Sequence, residues 1–142
     1  MRIFFDTNVL LDVLLFRTPH AEHSAKVLSL CAAGGAYGIF SVLSACNMVY
    51  ILRRNGLSEA AAKSKVLELA MTIGMADVDT ASVKDALRGD SSDFEDSVQA
   101  LCAVNNRADV IVTRDKTGFV SAKIPVLTPT EFLDREIDDT ET

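Results

Sequence analysis

The sequence predicts an α/β fold: a short parallel sheet covered on both faces by helices. Three observations predict it. Strand-like runs alternate with helix-like segments along the chain. The strand-like runs are short, apolar and β-branched, as strands buried on both faces are. No internal repeat, low-complexity linker or domain boundary interrupts the 142 residues, a length that suits one domain.

Residues 2–5 are an apolar run ending at Asp6 and read as a buried strand. Asp6-Thr7-Asn8 supplies capping groups for a helix through Leu15. Residues 21–33 read as a helix with Ala21, Ala25, Leu28 and Ala32 near one face, ended by Gly34-Gly35. Residues 37–40 are the second strand. Ser41 or Ser44 caps the next helix, which carries Val49, Leu52 and Arg53-Arg54 and ends at Asn55-Gly56. Ser58 opens another, with Ala61, Val66, Leu69 and Ala70 apolar, running to Gly74. Residues 75–78 are a brief strand. Thr80 caps a helix through Leu87, stopped by Arg88-Gly89-Asp90. Residues 92–106 form the clearest later helix, and residues 109–113 and 124–127 are strands. Thr128-Pro129 opens the last helix, because proline suits a first helical turn. One domain is expected over residues 1–133, followed by an acidic, disordered tail over residues 134–142.

Composition removes several classes. Cys31, Cys46 and Cys102 are odd in number and far apart, and His20 and His23 lie near none of them. A disulfide scaffold or a structural zinc site is therefore not expected. Asp6, Asn8 and Asp12 interrupt the apolar N-terminus, which argues against a signal peptide, and no apolar run is long enough to span a bilayer. A cytoplasmic protein with no membrane association is expected.

In a parallel sheet the ligand site lies beyond the carboxyl ends of the strands, so polar residues just after strands are candidates. Asp6 follows the first strand, Asp115 follows the strand containing Val110-Ile111-Val112, and Asp96 falls in the first turn of the helix begun near Ser92. If the first and fourth strands are neighbours, Asp6 and Asp115 meet at one sheet edge. Clustered carboxylates repel one another, and a hard divalent cation such as magnesium or manganese relieves that repulsion. Each acid also has a local role open to it. Asp6 suits a helix cap, Asp96 a first-turn acid favoured by the helix dipole, and Asp115 a turn before Gly118. Ser92-Asp93-Phe94-Glu95 fits a capping box, with Glu95 reaching back. Asp12 is expected to face solvent.

These residues resemble the PIN-domain nuclease family over nearly the whole chain. Phe5-Asp6-Thr7-Asn8-Val9-Leu10-Leu11-Asp12 is similar to the family's opening signature. Ser41-Val42-Leu43-Ser44 through Asn47, with Tyr50-Ile51-Leu52-Arg53-Arg54, resembles its second block. Asp93-Phe94-Glu95-Asp96-Ser97-Val98-Gln99-Ala100 resembles the third, and Ile111-Val112-Thr113-Arg114-Asp115, with Phe119, the fourth. Pro125-Val126-Leu127-Thr128-Pro129 with Glu131-Phe132-Leu133 resembles its ending. The resemblance implies a three-layer α/β/α sandwich and a metal-dependent endoribonuclease. It implies that Asp6, Asp96 and Asp115 are catalytic and hold magnesium or manganese, with Thr7, Asn8 and Thr113 supporting them. Small members are commonly toxins of bacterial toxin–antitoxin pairs, so an antitoxin and a homodimer are the expected partners, with single-stranded RNA as substrate. One departure stands out: Asn47 occupies the place where the family usually has a glutamate, which resembles a branch of the family that carries asparagine there and to which Asp93-Phe94-Glu95-Asp96 also points. It offers the site a carbonyl oxygen but no charge. A catalytically weak PIN-like binding or regulatory module is the second expectation, and a flavodoxin-like magnesium domain fits the motifs less well.

Arg17, Arg53, Arg54, Arg114 and Lys116 are the candidates for phosphate contacts, Arg114 lying beside Asp115. Net charge is −6, yet residues 134–142 hold five acids and one base, so the body carries only −2. With Asp6, Asp96 and Asp115 neutralised by metal, the acidic balance does not oppose RNA binding. It does predict weak non-specific affinity.

Overall fold

The computed structural model describes the backbone of residues 1–141 and the side chains of residues 1–139. Five strands, β1 (Arg2–Phe5), β2 (Tyr37–Ser41), β3 (Gly74–Ala76), β4 (Val110–Val112) and β5 (Val126–Leu127), form one parallel sheet in the order β3-β2-β1-β4-β5. The helices are α1 (Thr7–Leu14), α2 (His20–Ala32), α3 (Val42–Arg54), α4 (Glu59–Thr72), α5 (Thr80–Arg88), α6 (Phe94–Asn105) and α7 (Pro129–Glu141). This is the three-layer α/β/α architecture expected from the sequence.

Side chains alternate across a strand, so each strand feeds two cores. Ile3, Phe5, Phe40, Val110 and Val112 pack with Val9, Leu10 and Leu11 of α1, Val27 of α2, Met48 and Leu52 of α3, Val66 and Leu69 of α4, and Phe132 of α7. Phe4, Ile39 and Ile111 point the other way, onto Ala100, Cys102 and Ala103 of α6 and onto Phe119. All three layers are thus tied to a central strand, β1, whose residues 3–5 are fully buried.

The chain builds outward from β1 on one side through β2 and β3, then crosses to β4 and β5 on the other. The β1/β4 boundary is therefore the switch point, where a crevice opens beyond the strand ends. The register pairs Phe5 with Val112, and the Asp6 N–H donates to the Val112 carbonyl at 3.0 Å. That bond sets Asp6 and the Thr113 segment side by side.

Several local expectations shift. The cap of α5 is Asp79, whose carboxylate accepts from the Ser82 N–H at 2.8 Å, with Thr80 already inside the helix. The strands β3, β4 and β5 are shorter than the apolar runs that contain them, because only the residues in ladder register are paired. A 3-10 turn over Lys116–Phe119, capped by Asp115, follows β4, which is the turn before Gly118 that the sequence leaves open for that residue. The acidic segment expected to be a disordered tail is helical as far as Glu141. Buried Phe132 and neighbouring Leu133 anchor the start of α7 in the core, and once nucleated a helix propagates at little cost. Thr142 lies outside the described residues. No helix among the described residues is long and apolar enough to cross a membrane.

Candidate active site

Asp6 ends β1 and caps α1, so the two roles the sequence left open for it coexist. Its Oδ1 accepts from the Thr7 N–H at 2.8 Å, and its Oδ2 accepts from the Thr113 hydroxyl at 2.8 Å. Both oxygens are thus oriented, and the side chain is almost wholly buried. The Thr113 hydroxyl also accepts from the Asp115 N–H at 3.2 Å, which ties the fourth block to Asp6.

Asp96 enters the same crevice from the first turn of α6. Asp93 caps that helix, accepting from the Asp96 N–H at 3.0 Å. This corrects the expected capping box by one residue. With Asp93 rather than Ser92 at the cap, Glu95 sits one position too early in the helix to reach back. Glu95 turns instead to Asn47 of α3, whose amide donates to its Oε1 at 2.8 Å. A carboxylate therefore stands beside the position where Asn47 lacks one. Asp6, Thr7, Asn8, Asn47, Glu95 and Asp96 share one open cavity of about 460 Å³, with Arg17 and Tyr50 at its border.

A buried polar cluster supports this floor. Gln99, one turn after Asp96, accepts from the Ser41 hydroxyl at 2.7 Å and donates to the Ser44 hydroxyl at 2.9 Å. Ser44 in turn meets the Thr7 hydroxyl at 2.7 Å. Ser41, Ser44 and Gln99 are fully buried, so this satisfied network fixes α1, α3 and α6 against each other. The sequence gives Thr7 a supporting role; it offers Ser41 or Ser44 only as a helix cap, a role Ser41 fills by accepting from the Ser44 N–H at 3.1 Å, and gives Gln99 no role. The only signal for them was a polar residue inside each apolar block.

Electrostatics separate the acids. Burial raises the Asp6 carboxyl above its ordinary value against the pull of the Thr113 and Thr7 hydrogen bonds, and Glu95 and Asp93 raise it further. Burial, then repulsion from Asp6 and Asp93, pushes Asp96 up to about 7. Among the described residues neither Asp6 nor Asp96 has an ion pair. Two desolvated carboxylates facing each other, with further oxygen donors from Glu95 and Asn47, suit a hard divalent cation. No three acidic, histidine or cysteine side chains among the described residues are already gathered at ligand spacing.

Asp115 is placed differently. It is exposed, and its Oδ1 accepts from the Thr117 N–H at 3.1 Å and from the Thr117 hydroxyl, which lowers its pKa. It stands at the rim, joined to Asp6 through Thr113. Arg114 is also redirected. Asp12, expected to face solvent, is fully buried in α1, and a buried carboxylate requires a cation. The Arg114 Nε and Nη2 donate to its two oxygens at 2.5 and 3.2 Å, and Arg17 Nη1 lies 3.8 Å away. Arg53 is exposed on α3 and does not line the cavity, and Lys116 pairs with Glu131 at 3.1 Å. Among the sequence-nominated cations, only Arg17 borders the crevice.

Gly118 closes the other side. A Cβ added there would lie 1.7 Å from Asp96 Oδ2 and 2.7 Å from its Cγ, so only glycine leaves the carboxylate where it is.

A family model for the PIN domain matches residues 2–117. No curated protein sequence matches the chain. Among solved structures, the chain resembles VapBC2 from Rickettsia felis bound to a fragment of promoter DNA, with a TM-score of 0.66 and 16% identity, over 89% of this chain and 97% of that one. It resembles FitAcB from Neisseria gonorrhoeae with a TM-score of 0.62 and 20% identity, over 90% and 98%. It also resembles a toxin–antitoxin complex from Klebsiella pneumoniae, with a TM-score of 0.63 and 18% identity, over 89% and 97%. At these identities the likeness is one of fold.

Proposed function

The chain belongs to the PIN-domain family, and on that premise we propose that it is a metal-dependent endoribonuclease of single-stranded RNA, the toxin of a toxin–antitoxin pair. The observation that carries the reading is the facing of Asp6 and Asp96, two desolvated carboxylates without ion pairs, at the switch point of the sheet. The toxin role is supported by the toxin–antitoxin complex among the similar folds. A cognate antitoxin and a homodimer belong to the same proposal.

Asp6, Asp96 and Glu95 would hold the ion, with Asn47 orienting Glu95 and Asp115 available from the rim. Magnesium or manganese supplies, when bound, a Lewis acid for the scissile phosphate and for the attacking water. The chain's own work is positional. Thr113 and the Thr7 N–H fix both oxygens of Asp6, so its carboxylate need not reorganise as charge develops. The Gln99 cluster holds α6, and with it Asp96, at a fixed distance from β1. Arg17 and Asn8 offer donors for a strand entering the crevice, and the open form of the cavity admits a single strand.

The test is cleavage of a labelled single-stranded oligoribonucleotide. Cutting with magnesium or manganese, its loss in EDTA and its return on adding manganese are the expected results. Cleavage that persists in EDTA contradicts the proposal. RNA binding without cleavage favours the second reading, a catalytically weak binding module. Gly118→Ala is expected to lower cleavage about 100-fold by displacing Asp96 while leaving the far-UV spectrum unchanged. Full activity in that variant shows that Asp96 is not needed where it stands.

A further inference from the structure

A second cavity, of about 260 Å³, lies between the N-termini of α2 and α7. His20, His23 and Ser24 of α2 line it, with Arg114, Thr128 and Thr130. In a chain of net charge −6, no acid among the described residues lines this space. The nearby carboxylates are engaged elsewhere: Asp12 by Arg114 and Arg17, Glu131 by Lys116 and the Thr128 N–H, and Glu22 by Lys26.

Donors remain for an anion. Asp12 takes the Nε and Nη2 of Arg114, which leaves Nη1. Pro19 precedes α2 and provides no side-chain cap for its first turn, where the Ala21 N–H already donates to the Arg17 carbonyl at 2.7 Å. The N-terminus of α2, the positive end of a dipole, opens on this space; that of α7 is capped, Thr128 accepting from the Glu131 N–H at 3.1 Å, and contributes the Thr130 hydroxyl. A separate observation points to a ligand. Ser24 is fully buried, and its hydroxyl has no hydrogen-bond partner among the described residues. A buried hydroxyl left unpaired is unfavourable, and one that floors a cavity lined with cationic and neutral donors is satisfied by an acceptor placed in that cavity.

We propose that this cavity binds a phosphate group. Donors arrive from α2, from α7 and from the Arg114 segment, which suits a tetrahedral oxyanion better than a planar one. Two sources share this chemistry: a backbone phosphate of a bound RNA strand, and a free phosphate ion. The first is geometrically open, because the Arg114 N–H donates at 3.4 Å to Asn8, which lines the Asp6 crevice.

The probe is inorganic phosphate, titrated at constant ionic strength against chloride and followed by calorimetry and thermal unfolding. EDTA is present throughout, so cation-dependent binding in the Asp6 crevice does not contribute. Saturable binding with a rise in Tm is expected. Ser24→Ala is expected to weaken it about tenfold, and to leave the phosphate-free Tm equal to or above that of the parent, because an unpaired buried hydroxyl has been removed. Thr130→Val, at the surface, is expected to weaken phosphate binding without loss of fold. Absence of saturable binding overturns the proposal. So does a lower phosphate-free Tm in Ser24→Ala, since that shows the hydroxyl already bonded within the protein. A short oligoribonucleotide on the Asp6→Asn protein separates the sources. Competition by phosphate, with equal weakening by Ser24→Ala, identifies the strand backbone. Weakening of inorganic phosphate alone identifies the free ion. The phosphate titration requires no nuclease activity, so it stands or falls apart from the reading of the Asp6 crevice.

Discussion

Asp6→Asn is expected to lower RNA cleavage by about 100-fold or more while raising the stability of the metal-free protein. The two effects share one cause. The amide keeps an oxygen for the Thr7 N–H, and its nitrogen faces the Thr113 hydroxyl, which accepts as well as donates. What disappears is a buried charge that repels Asp96. The sign follows from the raised carboxyls. A folded-state pKa above the unfolded value means that ionisation disfavours the fold. For Asp96 this penalty is absent below its ordinary 3.8, grows as pH rises, and is complete above about 7. The Tm of the metal-free protein should therefore fall between about pH 4 and pH 7, and fall less in Asp96→Asn. Thermal unfolding across that range, with EDTA, checks the stability arm. A strongly destabilised Asp6→Asn protein would contradict this account, because the amide keeps the cap and removes only the charge.

Arg114→Ala is expected to cost about 3 kcal/mol, because it strands a fully buried Asp12 with only Arg17, at 3.8 Å, beside it. At this chain length that lowers Tm by roughly 10 °C, measurable by calorimetry. Replacing Asp12 and Arg114 together with apolar residues should recover much of the loss, since the desolvation of both charges is removed. An Arg114→Ala protein with unchanged Tm would contradict the assignment of Arg114 as the partner that holds buried Asp12 in the fold.

The contrast between these two residues shows where sequence reasoning works. Asp6 was legible because β1 is short, apolar and ends at once on an acid, and a parallel sheet delivers its strand ends to one edge. The meeting of β1 and β4 was a condition in the sequence and is met in the ladder, with Phe5 opposite Val112. Asp12 was misread although its signal was present. Val9, Leu10, Leu11, Val13 and Leu14 make α1 apolar nearly all round, and such a helix is buried, its single acid included. Glu95 was lost to a one-residue ambiguity in the cap, where Ser92 and Asp93 are both competent. Gln99, Ser41 and Ser44 meet across sequence separations of 55 and 58 residues, so no local pattern announces their contact. The helical course of residues 134–141 was hidden by composition, since acidity suggested disorder while the anchoring contacts lay upstream at Phe132.

Asp6 and Asp96 are proposed to act as one site for a divalent cation. Manganese titration followed by electron paramagnetic resonance tests it most directly, on the parent protein and on Asp6→Asn and Asp96→Asn. Saturable binding to the parent is expected, with at least a tenfold loss of affinity in each variant and both variants folded. Equal affinity in the parent and in both variants, or no binding to the parent, would contradict it.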